Sequence, residues 1–216
     1  MKKKVIVTGC AGFIGSNLVD LLLKKNFSVI GIDNLSTGHL RNLDDAKKNK
    51  NFHFVKFDLL DIKKIKNLFK NIDMVFHLAA NADVRYGIDN PKKDLEQNTI
   101  VTFNILESMR LNGVKKIVFS STGSIYGETS IIPTPENAEF PIQTSFYGAS
   151  KLACEGLIQA YCDHYNFKSW IFRFVSILGE RYSHGHVYDF YKKLLKNKNS
   201  LSVLGNGKQK KSYLNI

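Results

Sequence analysis

Tyr147 and Lys151, in the run Tyr147-Gly148-Ala149-Ser150-Lys151, carry the first chemical signal in this chain. Side chains four apart on a helix share one face. An ammonium near a phenol favours phenolate, so such a tyrosine can act as a base near neutral pH. Upstream, Ser120-Ser121-Thr122 closes an apolar run. A hydroxyl there can hold the oxygen of a substrate alcohol in line with the tyrosine. These groups suit removal of a proton from an alcohol while hydride leaves its carbon. Such chemistry also needs a hydride acceptor.

Positioning these groups calls for strand ends that converge. Apolar runs alternate with helical patterns along the chain, the signature of parallel βαβ units. The patterns predict strands at residues 4–8, 27–32, 52–57, 74–78, 115–121 and 169–174, with a short one at 201–204. They predict helices at 13–25, 62–70, 91–112 and 186–196, and one from Tyr147 to about Tyr165. Pro91 suits a first helical turn. Residues 35–51 read as a polar loop with room for a helical turn, and 127–145 as an irregular loop containing Pro133, Pro135 and Pro141. The fold class expected is α/β, a Rossmann-type doubly wound parallel sheet with helices on both faces.

The acceptor's place is suggested by Thr8-Gly9-Cys10-Ala11-Gly12-Phe13-Ile14-Gly15, between the first strand and the first helix. A dinucleotide pyrophosphate can meet a helix N-terminus there. Gly9 permits the tight turn, Gly12 lets backbone approach phosphate, and Gly15 lets the helix pack closely on the strand. Phe13 and Ile14 complete the candidate contacts. The alternative is a plain strand-to-helix turn. Asp33, eighteen residues after Gly15, can accept hydrogen bonds from both adenosine ribose hydroxyls and would repel a 2′-phosphate. That favours NAD over NADP. Its alternative is a capping role beside Asn34, itself a candidate contact. Asp58-Leu59 can contact adenine, or Asp58 can cap the next helix. In His77-Leu78-Ala79-Ala80-Asn81, the residues Leu78, Ala79 and Ala80 leave room for the cofactor, while His77 reads as structural. Asn98 can face the nicotinamide side or stand exposed on its helix. Ser120-Ser121-Thr122-Gly123-Ser124 puts hydroxyls at a strand's C-terminal end, where sites form in this architecture. Turn chemistry is the alternative.

The apolar content of 44% is ordinary for a soluble protein, and no apolar run approaches a membrane-spanning length. The N-terminal Met1-Lys2-Lys3-Lys4 and its short apolar run lead straight into the glycine loop, which reads as a strand rather than a signal peptide. A cytoplasmic location is expected. Three cysteines, Cys10, Cys154 and Cys162, make no disulfide framework, and none has metal-ligand spacing with a histidine, so no metal is expected. The formal charge of +12 comes mostly from lysine pairs spread along the chain. It reads as solvated faces that can attract an anionic substrate, not as a nucleic-acid surface.

Taken together, the glycine loop, Asp33, His77-Leu78-Ala79-Ala80, the Ser/Thr cluster and Tyr147…Lys151 resemble the extended short-chain dehydrogenase/reductase family. The likeness is to its NAD-dependent nucleotide-sugar epimerases and dehydratases, UDP-glucose 4-epimerase-like members above all. The resemblance spans essentially the whole chain. It implies NAD as cofactor, Thr122, Tyr147 and Lys151 as catalytic residues, and cofactor contacts from Ser120, Tyr147 and Lys151. It further implies Ser124 and Tyr147 near the sugar. Its 4,6-dehydratases carry Asp-Glu directly after the catalytic threonine; here Gly123-Ser124 stand there, which argues against dehydration. The family commonly has Arg-x-x-Asn after the sixth strand, with the Asn near the substrate diphosphate. This chain has Arg173-Phe174-Val175-Ser176, leaving Ser176 as the donor.

The activity implied is inversion at C4 of a nucleotide-diphosphate sugar, a UDP-hexose first, through a transient 4-keto sugar. Alternatives are another sugar-nucleotide oxidoreductase or decarboxylase on the same machinery, or a non-catalytic NAD-binding remnant. Residues 1–175 are expected to form the NAD-binding domain with the catalytic helix, and 176–216 the start of a truncated sugar-nucleotide region, with 204–213 leading into it. Relatives pair through their long helices, which implies a homodimer through 91–112 and 146–165.

Overall fold

Parallel strands covered on both faces are built from continuous apolar runs, and the short runs at 4–8, 27–32 and 74–78 become strands accordingly. The computed structural model describes residues 2–84, 86–139, 142–183, 185–203 and 205–216, with only the backbone of Lys63 and Lys64. Of the expected features, Pro141 in the long loop and Leu204 in the short strand lie outside the described residues. The chain divides into two compact units, residues 1–174 and 175–216.

In the first unit, β1 (Lys4–Thr8), β2 (Ser28–Asp33), β3 (Phe52–Lys56), β4 (Met74–His77), β5 (Lys116–Thr122) and β6 (Lys168–Phe174) form one sheet. Its order is β3-β2-β1-β4-β5-β6, and every neighbouring pair is parallel. The chain order reverses between β1 and β4, the crevice where such sheets bind ligands outside their strands' carboxyl ends. Thr8 pairs with His77 across that point, and Thr122 pairs with Phe174 at the far side.

Alternation along β1 separates two cores. Val5 and Val7 pack with Val19, Leu22 and Leu23 of α1 (Phe13–Lys24) on one face. Ile6, with Ile32, Val75, Ile117 and Phe119, packs on the other against α5 (Val101–Leu111) and α6 (Phe146–Tyr165). Each fully buried large apolar side chain contributes about 1.5–3 kcal/mol relative to exposure. Helices therefore cover both faces, as expected for a doubly wound sheet. Ser145 caps α6, its Oγ accepting from Gly148 N at 3.0 Å, and Asn166 ends that helix in the left-handed region.

Several boundaries differ from the sequence expectation. Residues 62–70 form an α-turn, α2 (Ile62–Ile65), and then a 3-10 turn, Lys66–Phe69. A short helix, α3 (Tyr86–Asp89), was not foreseen. The long helix at 91–112 is α4 (Pro91–Asp94), a π-helical segment at Leu95–Ile100 and then α5. The widened turn coincides with the buried Asn98, whose side chain bonds outside its own helix.

The second unit pairs β7 (Ser176–Leu178) in parallel with β8 (Tyr213–Asn215) and carries α7 (His186–Lys196). Residues 201–203 are irregular rather than a strand. An isolated apolar run becomes a strand only with a hydrogen-bonding partner, and β7 takes 213–215 instead.

Candidate active site

The glycine loop is shaped by contacts that side chains would block. Gly9 has φ +68°, and a Cβ on it would lie 2.8 Å from Ala79 N. A Cβ on Gly15 would lie 2.0 Å from Gly9 O. The loop is thus clamped between the exit of β4 and the first turn of α1. Gly12 heads α1 without a side-chain capping bond, and the first turn carries no acidic residue. A Cβ at Gly12 would meet only Gly9 O, at 3.3 Å. The positive end of the helix therefore opens into a glycine cradle, which fits a dinucleotide pyrophosphate. Phe13 is buried and Ile14 half-buried in that same turn.

Asp33 sits beside the cradle, 8% exposed. Its Oδ2 accepts from Ala11 N at 2.9 Å and its Oδ1 from Leu35 N at 2.8 Å. Asn34 Nδ2 donates to Asp58 Oδ2 at 3.3 Å, so Asp33, Asn34 and Asp58 gather at one rim. Leu59 has its side chain in the core, and its carbonyl accepts from Asn104 Nδ2 at 2.9 Å. Two residues of this rim escaped the sequence reading. Asn42 Nδ2 donates to Ala11 O at 2.9 Å. A Cβ on Gly38 would lie 3.1 Å from Asp33 Oδ1 and 2.9 Å from Ala11 Cβ. The Ser36-Thr37-Gly38 turn signal was the available hint.

His77 is fully buried. Its Nδ1 meets Thr8 Oγ1 at 2.8 Å and its Nε2 meets Thr102 Oγ1 at 3.0 Å. Thr102 already donates to Asn98 O at 2.7 Å, so it accepts from Nε2–H, and Thr8 donates to Nδ1. Burial, helped by the Lys151 charge, holds the imidazole neutral with its pKa pushed down to about 3. Thr8 Oγ1 in turn accepts from Leu78 N at 3.1 Å and Ala79 N at 3.2 Å. His77 thereby locks the Leu78-Ala79-Ala80 turn at the switch point. Asn98 is 1% exposed, which excludes the exposed-helix alternative. Its Oδ1 accepts from Asn81 N and its Nδ2 donates to Ser150 Oγ, both at 2.8 Å.

Lys151 is 2% exposed. Its Nζ donates to Ser120 O at 2.8 Å and lies 4.6 Å above the Phe119 ring. Ser120 Oγ donates to His77 O at 3.3 Å. Burial pulls the Lys151 pKa down to about 8, against the lifting influence of Cys154 and Glu155. Tyr147 is half-buried at the start of α6, with the Thr122 hydroxyl near enough to act on its titration. Thr122 Oγ1 donates to Ser124 Oγ at 3.2 Å and accepts from Ser124 N at 3.1 Å. Ser124 is exposed. The expected depression of the Tyr147 pKa by Lys151 does not occur in the chain alone. Burial pushes it up to about 12, the Thr122 hydroxyl opposes this, and the Asp94 charge adds to the rise. The desolvation of a phenolate outweighs a lysine whose ammonium is spent on a carbonyl.

One positioning residue in this cluster was missed. A Cβ on Gly148 would lie 2.8 Å from Ser124 O, so this glycine lets α6 approach the turn after β5. The sequence offered only a glycine in a helix's first turn. Ser176, the substrate-side candidate, opens β7 in the second unit and is half-buried. Among the described residues, no helix is long and apolar enough to cross a membrane.

A glycine cradle, an acidic residue at the second strand's end and a Tyr…Lys helix beside a hydroxyl-tipped strand define a dinucleotide-dependent enzyme class. Residues 5–216 match the NAD dependent epimerase/dehydratase family, and the chain belongs to it. A putative UDP-glucose 4-epimerase from Methanocaldococcus jannaschii is 37% identical, over 98% of this chain and 69% of that protein. A UDP-glucose 4-epimerase from Thermotoga maritima, solved with UDP-glucose, superposes with a TM-score of 0.89 at 34% identity, covering 98% of this chain and 69% of that one. The UDP-glucuronic acid 4-epimerase of Bacillus cereus, in complex with UDP-glucuronic acid and NAD, gives 0.89 at 30% identity with the same coverage.

Proposed function

We propose that this chain works in the NAD-dependent epimerisation of a nucleotide-diphosphate sugar, at C4 of a UDP-hexose. The observation that carries the reading is the placement of Thr122, Tyr147 and Lys151 and of the glycine cradle at the carboxyl ends of the parallel strands. When bound, NAD supplies the acceptance and return of one hydride, so the cycle has no net redox change. The cradle of Gly9, Gly12, Phe13, Ile14 and Gly15 holds its pyrophosphate. Asp33 receives the adenosine ribose, with Asn34, Asp58 and Leu59 toward the adenine. Leu78, Ala79, Ala80, Asn98 and Ser120 border the nicotinamide end.

Tyr147 Oη takes the proton of the sugar 4-hydroxyl as the C4–H bond breaks, leaving a 4-keto sugar. Thr122 Oγ1 holds that oxygen in line. After the keto sugar turns over, Tyr147 returns the proton to the oxygen of the inverted alcohol. Lys151 keeps a positive charge behind the tyrosine, and Ser124 faces the sugar. Because Tyr147 starts with a pKa near 12, it becomes a base only when the loaded site supplies further positive charge. Gly123 and Ser124 offer no carboxyl group for eliminating water, which favours epimerisation over dehydration.

A homodimer through residues 91–112 and 146–165 is supported by the exposed Leu95, Ile100, Phe103 and Leu111 on the first of these segments. Light scattering tests it. The unpaired Cys10, Cys154 and Cys162 suit the reducing cytoplasm.

The function is tested by incubating the chain with NAD and UDP-glucose and following UDP-galactose by NMR. Tyr147→Phe should lower turnover by roughly 100- to 10,000-fold, the usual range for a general acid–base group. Normal turnover in that variant would sink the reading.

A further inference from the structure

Glu155 lies one turn beyond Lys151 on α6 and is 1% exposed. Removing a carboxylate from water is costly, and an apolar pair of similar volume is often as stable as a buried ion pair. The contacts of Glu155 point to what the charge does. Its Oε2 accepts from Arg173 Nη2 at 2.9 Å and from Arg173 Nε at 3.3 Å, and its Oε1 from Nε at 3.2 Å. Ser121 Oγ also donates to Oε1. Arg173 Nη1 continues to Tyr126 Oη at 2.5 Å and Glu136 O at 2.7 Å. The guanidinium stands 5.1 Å from the Tyr126 ring centroid.

These partners flank the catalytic groups without including them. Ser121 immediately precedes Thr122 and pairs in register with Arg173. Tyr126 ends the 3-10 turn Gly123–Tyr126 that Thr122 caps. One ion pair therefore joins α6, the tips of β5 and β6, and the loop around Glu136. We infer that the Glu155–Arg173 pair is a positioning device that fixes the helix of Tyr147 and Lys151 against the strand end of Thr122. This rests on the catalytic roles proposed above. The pair also acts electrostatically. Facing Lys151 are Glu155 and Cys154 from its own helix, His77 from β4, and the Phe119 ring and Ser120 O from β5. Burial lowers the Lys151 pKa, and Cys154 and Glu155 oppose that fall.

The test uses the full chain labelled with [ε-13C]lysine, with Lys151→Met assigning the resonance, and steady-state kinetics on the same variants. In Glu155→Gln the Lys151 midpoint should fall by roughly one pH unit. There kcat should drop by roughly 10- to 100-fold, as expected for misplaced reacting groups, with KM nearly unchanged. Arg173→Lys keeps the charge but loses the fork, and should cost less in kcat. Glu155→Asp draws the charge back by one methylene, gives smaller changes of the same sign, and carries the test should Glu155→Gln not fold. Unchanged kcat, or an unmoved Lys151 midpoint, in a folded Glu155 variant overturns the inference. If the wild-type chain turns over no substrate, the functional reading fails and the lysine midpoint alone decides this one.

Discussion

Lys151 is predicted to leave a signature on stability that needs no substrate. Its ammonium is buried in the folded chain and its pKa falls from an ordinary 10.5 to about 8. In the unfolded chain the same lysine titrates near its ordinary value. Between about pH 8 and 10.5 the unfolded state therefore binds the extra proton, and stability rises with pH. Below pH 8 both states are protonated and the full cost of the buried charge is present. At 1.36 kcal/mol per pH unit, that cost is about 3 kcal/mol, a large share of the margin of an ordinary domain. The assay is urea unfolding of the wild type and of Lys151→Met, from pH 7 to pH 10, without NAD. Surface lysines titrate alike in both proteins, so the difference between the two curves isolates Lys151. Relative to the methionine variant, the wild type should gain about 2–3 kcal/mol across that range. Tyr147 contributes above pH 10, where its raised pKa lowers stability as pH climbs, so the window stops there. Parallel curves, with a constant difference at every pH, would refute the claim that burial depresses this lysine.

Two more predictions follow from single contacts. Gly148→Ala places a Cβ 2.8 Å from Ser124 O and 3.0 Å from both Gln143 Oε1 and Ser145 Oγ; it should cost about 1–3 kcal/mol in thermal unfolding and lower turnover more than NAD affinity, because α6 moves and the cradle does not. His77 is held neutral with a pKa near 3 against an ordinary 6.5, so unfolding draws a proton in that window and stability is lost as pH falls from 6.5 toward 3. The loss should approach about 4–5 kcal/mol at the acid end, and His77→Gln should flatten this acid limb in denaturant titrations.

The sheet was legible because its information is local. Val5-Ile6-Val7 and Met74-Val75-Phe76 are continuous apolar runs, and the glycine loop and Asp33 mark where strands end, so the strands and their parallel direction follow from pattern, while the order β3-β2-β1-β4-β5-β6 emerges only in the fold. The legibility fails where a residue's role depends on something distant in sequence. For Asn98 the sequence leaves two readings open, toward the nicotinamide or exposed on its helix; the bonds that settle its burial run to Asn81 and Ser150, which only the fold brings near, and the π-turn around it has no compositional mark. The pairing of Tyr147 with Lys151 was visible in their spacing, yet the sign of the pKa shift was not. Spacing places an ammonium on the same face as a phenol, whereas desolvation depends on Phe119, Ser120 and the strands packed beneath α6. The same reasoning explains why the pairing of Glu155 with Arg173, eighteen positions apart, gave no signal. Their meeting requires α6 to pack across β5 and β6, where Ile117, Phe119 and Ile158 share one buried core. The chemistry-bearing residues were thus visible as types, while the energies that decide their protonation belong to the packing around them.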